Sequence, residues 1–480
     1  MTYHALIFTN NQYPFKAAGA YAVATQLREH GYKTKIIENF VYLHNTHPEK
    51  FLEYIFKSIG KKTLFIGVSS TFLWDTDDAY KILAKIKEKY PHIKIINGGP
   101  REGRRGPIHK FSIRDSMIDY HILGYSEIAI LKIIEEIKKG NKLEKLYQYD
   151  PLGNQFDFTC IPPIFSKEED IVFPNEVLPI QIARGCPFRC KFCNFPLTGI
   201  SKSEMKYTRT RESIRNELLY NYENFKTSNY AIIDDTFNTT TAKVKLIKDI
   251  VDELGIPFNF IAYLRIDLIH RFPEQIHLLK EMGLKGAFFG IESLHDPSAK
   301  AIGKGLGSEK TIAMLYRLKE EWGKYIQLHC NFILGLPYES EKTFKNWMIK
   351  ILQPGFPMDS MNISALEITK NPEPGMQSPF SENAEKYGYT ILDDYGGWES
   401  IYPLKSLKRC ENLLYYQIKP LIQKKYKRTM YGRTRFWNKY TAQNFGYTWE
   451  ELVDNFPKKD DLVNAEIQFK EAYAERLFNL

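Results

Sequence analysis

Two runs of alternating strand and helix, separated by one proline-rich stretch, restrict this 480-residue chain to very few folds. In the first run, residues 3–9 form an apolar strand and a helix closes at His30-Gly31. Strands at 33–38 and 63–70 follow, the latter (TLFIGVSS) apolar enough to be buried on both faces. A helix runs to Tyr90, residues 93–96 lead into Asn97-Gly98-Gly99-Pro100, and a strand at 119–123 precedes a helix opened by Gly124-Tyr-Ser-Glu127. This rhythm predicts an α/β, Rossmann-like doubly wound domain over residues 1–145, with its ligand site at the carboxyl ends of the strands. Residues 146–175 carry Pro151, Pro162, Pro163 and Pro174 without periodicity, and read as a linker.

The second run places strands at 178–184, 230–235, 258–265, 285–292, 327–334 and 361–368, with amphipathic helices such as 211–222 and 308–321 between them. Six such units predict a partial (β/α)6 TIM-type barrel over 176–375. The remaining residues, 376–480, are irregular and aromatic-rich before turning helical; we expect an α-rich region capping the barrel and shaping a substrate pocket. Composition agrees with a folded chain: 43% hydrophobic and 26% charged. No segment approaches the roughly 20 uncharged apolar residues of a spanning helix. Residues 1–8 read as a strand without a basic leader, so no membrane association and a cytoplasmic location are expected.

Of the six cysteines, three fall together in Arg184-Gly-Cys186-Pro-Phe-Arg-Cys190-Lys-Phe-Cys193-Asn, just after the first barrel strand. A disulfide would strand one thiol in a reducing compartment. Structural zinc needs a fourth ligand, and no histidine lies between His121 and His270. The third reading is an iron–sulfur cluster on three thiolates with one iron open to a small molecule.

The segment resembles the radical S-adenosylmethionine (SAM) enzymes, and the resemblance covers about residues 176–370 in order. It implies that Cys186, Cys190 and Cys193 hold a 4Fe-4S cluster whose open iron chelates SAM. One electron then cleaves the sulfonium C–S bond, giving a 5′-deoxyadenosyl radical that attacks an unactivated C–H bond. Phe192 matches the aromatic position beside the SAM adenine; the alternative is core packing. Asp234 and Asp235, in Ile232-Ile-Asp234-Asp235-Thr-Phe-Asn238, match an acidic motif for the SAM amino group or substrate; the alternative for Asp235 is a helix N-cap. Arg265 ends the third strand and joins the SAM site; an ion pair with Glu292 is the alternative. Glu292 and Ser293 take the ribose or carboxylate role of the fourth strand. Ile302-Gly303-Lys304-Gly305 resembles the family's Lys-Gly element, and Asn331-Phe-Ile-Leu-Gly335-Leu-Pro337-Tyr-Glu339 its Gly-Leu-Pro signature, in which Gly335 lets the backbone approach the adenine.

An open α/β domain before such a barrel is similar to the cobalamin-binding subgroup. Ser69, Ser70 and Thr71 after the third strand, and Gly98 and Gly99 after the fourth, match positions that accommodate the cobalamin nucleotide tail. For the glycine pair, an ordinary tight turn is the alternative. Asp119-Tyr-His121-Ile-Leu-Gly124 fits DxHxxG but lies on the fifth strand, so His121 reads as a strand residue. No cysteine precedes Cys160, which disfavours methylthiotransferase relatives.

The resemblance thus implies a cobalamin-dependent C-methyltransferase in which one SAM methylates cobalamin and a second supplies the radical. Its expected partners are a small-molecule, natural-product-like substrate and a flavodoxin-type or reductase electron donor. A radical SAM oxidoreductase or mutase with a degenerate cobalamin domain stays open. So does a zinc-stabilised nucleic-acid-binding protein using residues 424–439, which hold seven basic residues and no acid. Arg101, Arg104, Arg105 and Lys110 form a smaller basic loop.

Overall fold

The computed structural model describes residues 2–10, 15–70, 73, 76–99, 117–195, 197–199, 208–370, 372, 377–393, 396–425 and 439–479. Thr71, the basic loop at 101–110 and residues 426–438 of the basic stretch lie outside the described residues.

The first domain is a six-stranded parallel sheet. Its strands are β1 (Ala5–Phe8), β2 (Thr34–Ile37), β3 (Phe65–Ser69), β4 (Lys94–Gly98), β5 (Tyr120–Ile122) and β6 (Leu146–Tyr147), ordered β2-β1-β3-β4-β5-β6. The order reverses between β1 and β3, which creates a crevice at the carboxyl edge. Helices Ala18–Glu29 and Glu127–Lys139 pack on one face and Pro48–Ser58 and Thr76–Lys89 on the other, each burying an apolar stripe. His121 is buried within β5.

The second sheet is also six-stranded and parallel: β7 (Leu178–Ile180), β8 (Asn229–Ile232), β9 (Asn259–Leu264), β10 (Leu284–Glu292), β11 (Gln327–Leu334) and β12 (Ser360–Ala365), in unbroken sequential order. Sequential order with a helix after each strand is the winding of a barrel left open between β7 and β12. Thr210 and Thr240 cap the helices Arg211–Phe225 and Thr241–Leu254, accepting from the amides of Ser213 and Lys243.

The two domains share one apolar core and a buried polar knot. The Lys16 ammonium sits 2.6 Å from Glu38 and 3.2 Å from Glu176, and donates to the Ile171 carbonyl at 2.8 Å. Tyr21 donates to Glu38, whose own amide donates to the Tyr473 hydroxyl at 3.0 Å.

The region after the barrel splits into three. Residues 377–418 lie over the carboxyl edge of the barrel: Phe380 N donates to Lys191 O, Tyr389 Oη to Gly335 O and Trp398 Nε1 to Leu366 O. Residues 439–454 seal the opposite end, where the Tyr440 hydroxyl lies 2.9 Å from the carbonyls of both Tyr230 and Asn259. The helix Lys459–Phe478 leaves the barrel and docks Tyr473, Ala474 and Leu477 against the first domain, among residues such as Phe51 and Ile55.

Candidate functional site

The cysteine loop lies on the carboxyl edge of the barrel. Cys186 and Cys190 are buried and Cys193 is half-buried. Backbone bonds fix the loop: Cys186 N donates to Leu197 O, Cys193 N to Cys190 O, and Lys191 N to Ile302 O. The last of these docks the Ile302-Gly303-Lys304 turn against the loop. Cys186 Sγ lies 3.5 Å from Thr236 Oγ1, and Arg265 Nη1 donates to Cys190 Sγ at 3.3 Å. Burial pushes the Cys193 thiol up to about 12 and raises that of Cys186.

The donor set fits an iron–sulfur cluster. Three thiols converge at one strand end, and Arg265 supplies a cation and a hydrogen bond to one sulfur. Among the described residues, no three His, Cys, Asp or Glu side chains are gathered tightly enough for a single metal ion.

Arg265 does not pair with Glu292. Asp267 takes its guanidinium at 3.0 and 2.7 Å, and the ring of Phe188 stacks on it with a 3.9 Å centroid distance. Asp235 is not a helix N-cap, because the next helix is capped by Thr240. Its carboxyl is pushed up to about 7 by burial and by the neighbouring Asp234 charge. Asp234 itself is committed to the scaffold. It accepts from the amides of Ile182 and Ala183 at 2.7 and 3.0 Å, and from the Lys243 ammonium at 3.0 Å. These bonds tie the end of the first barrel strand to the second.

Glu292 sits at a bulge of β10 in the left-handed region, φ +68°. Such a conformation is rarely adopted by a non-glycine residue and clusters at functional sites. Its carboxylate is 3.9 Å from the Lys304 ammonium, while Oε2 is buried without a partner among the described residues. Burial raises its pKa. Ser293 faces Glu339 Oε1 at 3.2 Å and accepts from His295 N. Gly335 has φ +98°, and a Cβ there would meet Trp398 at 2.8 Å and Cys410 Sγ at 3.0 Å. The missing side chain therefore makes room for Trp398 from the covering segment. Phe192 is half-buried against the shared core.

Sequence reasoning missed several side chains here. Lys243, Thr236 and Phe188 carry no motif that marks them. Arg184 stands just before Gly185-Cys186, but its partner lies in the other domain. It pairs with Glu127 of the first domain at 2.7 Å, both 5% exposed.

A cavity of about 280 Å³ opens between the two sheets. Ser69, Gly98, Gly99 and Gly124 line it from the first sheet, and Gln181, Arg184 and Ile233 from the barrel. Ser70 donates to the Gly98 carbonyl at 3.1 Å, tying the two loops together.

Residues 180–350 match the model of the Radical SAM superfamily. The barrel is a radical SAM domain. The cofactors of a radical SAM domain are a 4Fe-4S cluster and SAM, which agrees with the thiol triad at the strand end. Among curated proteins, the chain is similar to an uncharacterized methyltransferase of Pyrococcus horikoshii, 22% identical over 60% of this chain and 63% of that one. It is also similar to bacteriochlorophyllide d C-12(1)-methyltransferase of Chlorobaculum tepidum, 24% identical over 70% of this chain and 68% of that one. A methyltransferase of Synechocystis, 24% identical, is matched over only 42% of its length. The chain thus spans less than two thirds of two of these relatives. Among solved structures, the radical SAM methyltransferase TsrM of Kitasatospora setae superposes with a TM-score of 0.63, at 14% identity, over 98% of this chain and 100% of that one. The cobalamin-dependent SAM radical enzyme OxsB gives 0.60 at 15% identity, over 98% of this chain and 75% of that one. Both share the fold: an open α/β domain before a radical SAM barrel. Among the described residues, no helix is long and apolar enough to cross a membrane.

Proposed function

We propose that the chain is a cobalamin-dependent radical SAM enzyme that transfers a methyl group to an unactivated carbon of a small-molecule substrate. One observation carries this reading: the cavity lined by Ser69, Gly98, Gly99 and Gly124 is also lined by Arg184, two residues before Cys186 of the cysteine loop. A ligand of the first domain would stand beside the radical-generating centre, as a methyl donor must. Relatives named as methyltransferases, and the solution of TsrM with cobalamin and a [4Fe-4S] cluster bound, support it.

When bound, the cluster and SAM supply a 5′-deoxyadenosyl radical, and cobalamin supplies a carrier for the methyl group. The protein's part is binding and positioning. Cys186, Cys190 and Cys193 hold the cluster, and Arg265 balances its negative charge. Asp235 and Glu292, two buried carboxyls near the same edge, are suited to orient the amino and hydroxyl groups of SAM. Residues 377–418 cover the edge and exclude water. An electron donor of the flavodoxin or reductase class would serve the exposed side of the loop, at Arg189. Relatives named for substrates as different as a bacteriochlorophyllide and a hopanoid carry no single substrate to this chain.

Anaerobic reconstitution with iron, sulfide and hydroxocobalamin tests the reading. We expect about four irons per chain, a bound corrinoid spectrum, and both 5′-deoxyadenosine and S-adenosylhomocysteine on turnover. Zinc without iron would refute it. Deoxyadenosine alone, with no corrinoid retained, would shift the assignment to an oxidoreductase or mutase. Cys190→Ala is expected to abolish SAM cleavage, and retained cleavage would contradict the cluster assignment.

A further inference from the structure

Arg184 lines the cavity from the barrel side and is held on three sides. Nη2 donates to Glu127 Oε1 at 2.7 Å and lies 3.2 Å from Gln181 Oε1. The guanidinium also stacks on Tyr125 and Phe158, with centroids at 4.2 and 4.5 Å. Its other edge is bare: Nε and Nη1 are buried and have no partner among the described residues. Unpaired buried donors on a charged group are costly and rare in native structures. This one lines a cavity, two residues from Cys186.

We propose that Arg184 is a corrinoid ligand, its Nε and Nη1 donating to the carbonyl oxygen of a peripheral carboxamide of the corrin ring. The assignment rests on the cobalamin reading above. Two features select a neutral acceptor of this kind. Glu127 already neutralises the guanidinium, and both groups are buried, so an added phosphate or carboxylate would leave a net negative charge in the interface. The first-domain side of the cavity, lined by Ile7, Val23, Phe65 and Ile130, is apolar and suits the tail of such a ligand rather than its amides. Arg184 lies instead on the barrel side, which the ring must face. The same side chain would then tie corrinoid, first domain and cluster loop together.

The test uses the full chain, anaerobically reconstituted, with hydroxocobalamin binding followed by absorbance. Arg184→Lys keeps a cation for Glu127 but loses the second planar edge. We expect its Kd for hydroxocobalamin to rise about 10- to 100-fold while iron content stays at the wild-type value. The same penalty is expected with cobinamide, which keeps the ring carboxamides but lacks the nucleotide and its bridging phosphate. An unchanged Kd would overturn the assignment and leave ordered water as the partner of Arg184. A penalty that vanishes with cobinamide would overturn it too, by moving the contact to the phosphate. Should the variant not fold, the ligand is varied against the wild type. Of the cobalamin derivatives with one side-chain amide hydrolysed to an acid, one is expected to bind about tenfold or more weakly, because its carboxylate would bury a net negative charge beside Glu127. Equal binding of all of them would refute the contact. Wild-type protein that binds no corrinoid would sink the cobalamin reading and this assignment with it, whereas wild-type binding with no penalty in Arg184→Lys sinks this assignment alone.

Discussion

Glu339 gives the barrel a calculable dependence on pH. Its carboxyl is buried behind Ser293, accepting from Trp347 Nε1 at 3.0 Å, and Oε2 has no partner among the described residues. Burial pushes its pKa from 4.5 up to about 7. A carboxyl raised in the folded state binds more protons folded than unfolded between those two values. Stability is therefore fully present below pH 4.5 and lost as pH rises through about 7. The displacement corresponds to about 3 kcal/mol at most. Glu339→Gln keeps an oxygen to accept from Ser293 and Trp347 but cannot ionise. We expect the wild type to lose stability relative to this variant by about 3 kcal/mol between pH 4.5 and pH 8. Denaturant unfolding of both proteins across that range, monitored by tryptophan fluorescence, measures the difference directly. Parallel profiles, or a wild type that gains on the variant as pH rises, would show that the carboxyl ionises freely and that its burial has been misread.

Other perturbations are as specific. Gly335→Ala should destabilise the protein by about 2–4 kcal/mol, from left-handed strain and displacement of Trp398; a fluorescence-detected melt that matches wild type would contradict the packing. Lys16→Met leaves Glu38 and Glu176 buried without their cation, and should cost about 3–5 kcal/mol in chemical denaturation. Arg265→Lys removes the fork that grips Asp267 and the stacking on Phe188. Less donation to Cys190 should move the cluster potential to more negative values by tens of millivolts in an EPR-monitored titration. An unmoved potential would exclude Arg265 from the sulfur.

The barrel was legible because its strands are long apolar runs between clear breaks. Residues 327–334 were read from the sequence with the bounds the structure has. The strand expected at 178–184 stops at Ile180, because the Asp234 carboxylate, not a neighbouring strand, takes the amides of Ile182 and Ala183. That substitution is invisible in sequence, since an acid at a strand end looks the same whether it faces a ligand or the backbone. The partner that decides the matter, Lys243, is a turn into the next helix. β6 escaped notice because two residues give no periodicity. The thiol triad was legible because its spacing is itself the signal. Arg184 and Glu127 were not, because a contact between domains leaves no local pattern.

The docking of the last helix on the first domain bears on how the chain is made. Glu38 and Tyr473 are 435 residues apart yet share a hydrogen bond. During synthesis, the first domain emerges long before the segment that covers Phe51 and Ile55, so this apolar face stays open while the whole barrel is being made. The nascent protein therefore carries a sticky surface while the barrel is made and closes it with the helix Lys459–Phe478. Removal of residues 459–479 should accordingly yield aggregation of the first domain and not merely an altered barrel.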